Sequence, residues 1–84
     1  MSRATLEREI RIAIAAKARC EPAQIGLHDD FEEDLGLDSL DRLDVVAAIE
    51  DDLGVRVPDD LFSEIRSLDD VLKALDGQRR EIAA

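Results

Sequence analysis

The side chains able to take part in covalent chemistry include one thiol, Cys20, one imidazole, His28, and four serines, of which Ser39 lies in the run Asp38-Ser39-Leu40-Asp41. A serine nucleophile needs a base, and the sequence suggests no Ser-His-Asp or Cys-His set. A lone cysteine cannot form an internal disulfide, and one thiol with one imidazole make a poor metal set, so no metal is expected. Ser39 therefore has no base to activate it, and no catalytic residue is expected in the chain. Asp38 is a good helix N-cap, and Ser39 then falls in the first turn. Unpaired N–H groups and the positive end of the helix dipole tolerate a phosphate ester there. Serine and aspartate are also ordinary at helix starts, and on the triplet alone that plainer reading prevails.

The elements that must position Ser39 follow from periodicity and breakers. Leu6, Ile10, Ala13 and Ile14 recur at helical spacing and predict a first helix from about Thr5 to Arg19. Pro22 stops it, and Glu21 to Leu37 reads as a long loop pinned by Ile25, Leu27, Phe31 and Leu35. A second helix spans about Ser39 to Leu53, with an acidic capping box from Asp38 to Asp41 and Gly54 at its C-terminal end. Val55 to Pro58 is an extended link, and a short helix runs from Pro58 to about Glu64. A last helix starts after Ser67, buries Leu68, Val71, Leu72 and Leu75, and is expected to end at Gly77, with a frayed tail from about residue 78. The expected fold is all-α: one domain over 1–84, a small four-helix bundle of three main helices plus one short helix.

Composition narrows the function classes. Aromatic residues make up 2% of the chain, so the core is expected to be aliphatic, which suits helix packing better than a β-sandwich. The net charge of -10 argues against nucleic acid. No apolar run is long enough to cross a bilayer, and a cytoplasmic monomer is expected. Of the 21 acids, 13 lie between Asp29 and Asp60, opposed only by Arg42 and Arg56. An acidic middle of this kind steers basic protein partners. On the second helix, projection places Leu43, Val45, Val46, Ile49 and Leu53 toward the core. Leu40, Asp44, Ala47 and Asp51 lie opposite, with Asp41 and Ala48 close by.

The run Glu33-Asp34-Leu35-Gly36-Leu37-Asp38-Ser39-Leu40-Asp41 resembles the 4′-phosphopantetheine attachment site of acyl carrier proteins, Glu-Asp-Leu-Gly-x-Asp-Ser-Leu followed by an acid. The resemblance continues through Glu50-Asp51-Asp52, Leu53, Val57-Pro58-Asp59, Ile65 and Leu68, and covers about residues 5 to 76. It implies that a phosphopantetheinyl transferase uses coenzyme A to esterify Ser39. The arm's thiol then holds acyl groups as thioesters for loading, condensing and transferring enzymes of fatty-acid, polyketide or specialised lipid synthesis. Asp38, Leu40, Asp41, Asp44, Ala47 and Asp51 match the face that such partners grip with basic docking patches. The implied acyl pocket takes in Arg42, Leu43, Val46, Ile49, Phe62 and Ile65.

Arg42, Leu61 and Phe62 depart from the common pattern of that family. Arg42 falls within the core-facing arc, near where an acyl chain enters, and is expected to snorkel outward or to pair with a loop carboxylate. Phe62 fills space that a long chain needs, so short or polar cargo is expected. An aminoacyl or peptidyl carrier is the alternative, but its usual Gly-Gly pair is replaced here by Gly36-Leu37-Asp38. A structural, carrier-like subunit is a further option. A calcium-binding loop starting at Asp30 fails, with Leu35 where glycine is needed and Asp41 in place of the bidentate glutamate.

Overall fold

The structure, a computed structural model, describes the backbone of residues 2–83 and the side chains of residues 2–76. Helix α1 spans Arg3–Ala18, α2 Ser39–Leu53 and α3 Leu68–Ala83, with short 3-10 segments at Pro22–Gln24 and Asp59–Glu64. The architecture is all-α, with no strand among the described residues.

Each boundary has a local cause. Ser2 caps α1 by accepting the Thr5 N–H on its hydroxyl. That helix ends at Arg19, which takes the left-handed conformation at φ 59°. In α3 the Ser67 hydroxyl accepts the Asp70 N–H, while the Asp70 carboxylate reaches back to the Arg66 N–H. Gly54 closes α2 at φ 64°, where a side chain is strained. Gly77 does not end α3, contrary to the sequence reading, and the stretch read as a frayed tail is helical backbone to Ala83. A glycine inside a helix costs only about 1 kcal/mol relative to alanine, and Gln78-Arg79-Arg80-Glu81 are good helix formers.

One aliphatic core joins the three helices and the long loop. It holds Leu6, Ile10 and Ile14 from α1, Val45, Val46 and Ile49 from α2, and Leu68, Val71, Leu72 and Leu75 from α3. From the loop come Ile25, Phe31 and Leu37, of which Phe31 is fully buried. Leu27 and Leu35 pack only partly, and Leu37 anchors where the sequence reading had placed no anchor. Backbone bonds tie the loop down as well: Phe31 N–H donates to the Arg66 carbonyl at 2.8 Å and Asp69 N–H to that of Leu27 at 3.0 Å. Arg11 Nε donates to the Ile25 carbonyl at 2.9 Å. A loop held in this way presents a fixed entry to α2.

Candidate functional site

The approach to Ser39 is built from carboxylates that hold their own backbone. Asp30 accepts the N–H groups of Glu32 and Glu33 at 2.9 Å each, and Asp34 accepts that of Asp30 at 2.7 Å. The Glu33 amide is the chief reason that the Asp30 carboxyl is held below its ordinary value, with the Glu32 amide and the Arg66 and Arg42 charges adding to it. Gly36 turns the chain at φ 70°, and buried Leu37 fixes it to the core. Asp38 then caps α2: its Oδ1 accepts the Asp41 N–H at 2.8 Å, and Asp41 returns a bond to the Asp38 N–H at 3.2 Å. This is the reciprocal box expected from the sequence.

Ser39 is the first residue of α2 and is exposed. Among the described residues no hydrogen bond engages its hydroxyl. First-turn amides of a helix lack intrahelical acceptors, so anionic oxygens on the Ser39 Oγ find donors and the positive helix end. An exposed, unengaged hydroxyl at this place fits a phosphodiester-linked arm.

Beyond Ser39, α2 divides by direction. Leu40 is 70% exposed at the crest, with Asp44, Ala47 and Asp51 exposed along the same side. Asp41 is half-buried, because Lys17 of α1 leans over this flank. The Lys17 ammonium lies 2.7 Å from Asp44 and 3.8 Å from Asp41. Its hydrogen bond to Asp44, together with that carboxylate's charge, raises the Lys17 pKa above the ordinary lysine value. Lys17 is a residue that the sequence reading missed, because the contact joins two helices far apart in the chain.

The other flank is a groove of about 300 Å³ lined by Leu43, Val46, Ala47, Glu50, Val57, Asp59 and Phe62. Of the six residues expected to form an acyl pocket, it therefore gathers Leu43, Val46 and Phe62. Ile49 and Ile65 are each 2% exposed and belong to the core. Ile65 also borders a separate hollow with Leu61, Glu64, Asp70, Lys73 and Ala74. Leu43 corrects the sequence projection: it is 49% exposed, on the groove's flank rather than in the core. On a helix it points close to the direction of Ala47 and Glu50, well round from Val45 and Ile49. Val57 from the extended link and Asp59 from the start of the 3-10 segment complete the wall, and the Val57 N–H donates to Glu50 at 2.8 Å.

Arg42 lies on the core-facing arc, as projected, but against expectation its guanidinium neither snorkels outward nor pairs with a loop carboxylate, its Nε being buried. Its guanidinium stacks on Phe62, with Cζ 5.5 Å from the ring centroid. Among the described residues, no group of three or more His, Cys, Asp and Glu side chains could hold a metal ion. No helix among them is long and apolar enough to cross a membrane.

The helical domain thus places an exposed serine, at the capped start of α2, between an acidic crest and an apolar groove. The family model for the phosphopantetheine attachment site matches residues 8–75. The acyl carrier protein of Treponema denticola is 33% identical over 75 residues, covering 89% of this chain and 96% of its own length. That of Helicobacter acinonychis is 31% identical over 71 residues, covering 84% and 91%. The acyl carrier protein of Treponema pallidum strain Nichols is 39% identical over 61 residues, 73% and 78%. The chain belongs to the acyl carrier protein family, whose prosthetic group is 4′-phosphopantetheine.

Proposed function

We propose that this chain carries acyl groups on a 4′-phosphopantetheine arm esterified to Ser39 by a phosphopantetheinyl transferase. The observation that carries the reading is Ser39 itself: the exposed first residue of a capped helix, in the matching motif, with an unengaged hydroxyl. When bound, the arm supplies a thiol that holds acyl cargo as a thioester. The chain's own residues position and present it. Asp38 and Asp41 fix the helix end, the first-turn amides of α2 face the phosphate, and Asp30 and Phe31 hold the preceding loop.

The exposed crest of Leu40, Ala47, Asp44 and Asp51, flanked by Asp38 and Asp41, forms the docking face for basic patches on the transferase and on loading, condensing and transferring enzymes. Leu40 supplies apolar contact and the acids steer the encounter. Leu43, Val46 and Phe62 shelter cargo on the adjoining flank, in the cytoplasmic synthesis of fatty acids, polyketides or specialised lipids. Incubation with coenzyme A and a broad-specificity transferase is expected to raise the mass by one phosphopantetheine. Ser39→Ala is expected to abolish that gain while leaving the helical spectrum unchanged. An unchanged wild-type mass overturns the reading and favours a structural subunit.

A further inference from the structure

Arg42 precedes Ile49 by seven residues on α2, so the two side chains leave the helix in nearly the same direction, toward the core. Every other residue on that arc, Val45, Val46, Ile49 and Leu53, is apolar. The Arg42 Nε is buried and has no hydrogen-bond partner, and one Nη reaches the Ile65 carbonyl only at 3.5 Å. A buried donor without an acceptor is costly, and a guanidinium is shaped to be met by paired oxygens.

The chain has 21 acids against 11 bases, yet among the described residues none of the acids ion-pairs with Arg42. Asp30, a carboxyl that the Arg42 charge helps to lower, is already committed. It pairs with Arg66 at 3.3 Å and accepts two backbone N–H groups. The contrast between the two arginines is informative: Arg66 has its carboxylate, and Arg42 has an aromatic face and an unmatched fork.

Phe62 connects Arg42 to the groove, because the ring under the guanidinium also lines the groove with Leu43 and Val46. Leu43 lines the groove one turn beyond Ser39, and Arg42, its neighbour on the helix, meets the groove through the Phe62 ring. Glu50 and Asp59 are the charged residues in its lining. A carboxylate in this groove is repelled by those two and attracted by Arg42. We propose that Arg42 binds the free carboxylate of acyl cargo, so that the chain is built to carry half-thioesters of dicarboxylic acids. This rests on the carrier reading above and specifies its cargo. The rival source of anionic oxygen is the arm's own phosphate, held at the first turn of α2.

The test compares the holo-protein loaded with adipoyl, labelled with carbon-13 at its free carboxyl, or with hexanoyl of equal length. Adipoyl loading is expected to shift the Arg42 Nε–H resonance and slow its exchange with water. Its carboxyl should titrate about one pH unit below that of adipoyl pantetheine free in solution. Hexanoyl should leave the Nε–H resonance at its holo position, and Arg42→Gln should return the carboxyl to its free value. If Arg42→Gln does not fold, the adipoyl and hexanoyl forms of the wild type still decide the matter. A carboxyl that titrates as if free overturns the proposal. An Nε–H resonance that moves from apo to holo form and no further on adipoylation assigns Arg42 to the phosphate and also overturns it. A chain that accepts no arm overturns the carrier reading and this proposal with it, whereas a loaded chain with no Arg42 response overturns this proposal alone.

Discussion

The two flanks of α2 are built from one helix and meet their charges differently. Toward α1, Lys17 closes over Asp41 and Asp44, so that flank is neutralised from within. Toward the 3-10 segment Asp59–Glu64, an apolar groove stays open beside an arginine whose Nε has no acceptor. Satisfied contacts hold a structure together and leave little for a ligand to add. On the function proposed above, the groove flank, where apolar surface and a donor are both unspent, is the one with something to offer cargo, and the acidic crest between the flanks is the part that meets protein partners.

Stability measurements can break this division or sharpen it. The largest effect is expected where the flanks share their floor: Ile49→Ala should cost about 2–5 kcal/mol in urea unfolding. Leu43→Ala, on the open flank, should fall within about 0.5 kcal/mol of wild type. A core-sized loss at Leu43 would show that the groove is packed interior after all.

Next in size is the shared start of the helix. Asp38→Ala removes the acceptor of the Asp41 N–H and keeps the backbone N–H that donates to the Asp41 carboxylate. It should cost about 1 kcal/mol, whichever flank is probed. A fluorescent or NMR probe confined to one flank and reporting a larger loss there would break the symmetry of that expectation.

Acid titration tests the loop that delivers the chain to both flanks. The Asp30 carboxyl is lowered by the Glu33 amide first, so its contribution is complete above the ordinary aspartate value of about 4 and is lost as pH falls through the lowered one. Wild type should therefore lose more stability than Asp30→Asn over that acid range. Equal acid sensitivity of the two proteins would remove Asp30 from the account.

The smallest effect belongs to the exposed pairs on the α1 flank. Lys17→Met should lower stability slightly at low salt and not at all at high salt, because surface pairs are screened. It also uncovers Asp41 and Asp44, so association with a basic partner should become faster and more salt-sensitive. An unchanged association rate would mean that Lys17 does not mask the crest.

Much of this arrangement was legible in the sequence because it depends on neighbours in the chain. The Asp38–Asp41 box, the α2 limits at Ser39 and Leu53, and the stop at Gly54 follow from hydrogen bonds and backbone preferences that span only a few residues. Gly77 was misread for the complementary reason: a glycine's local penalty is small, and the helix formers on either side of it outweigh that penalty. Leu43 was misplaced by treating every apolar residue near the arc as core, when the arc's width is set by what packs against it. The anchoring role of Leu37 was hidden inside the motif that surrounds it.

By itself, then, the sequence determined a helical fold with Ser39 at a capped helix start, for which local bonds and helical spacing suffice, whereas the carrier reading came from the likeness of the longer motif to a known family. Only the tertiary structure decided what lies on either side of that serine. Lys17 reaches Asp44 because α1 packs beside α2, and Phe62 meets Arg42 because the 3-10 segment folds back across the helix. Those pairings depend on distances between segments far apart in the chain, which no spacing along one helix encodes.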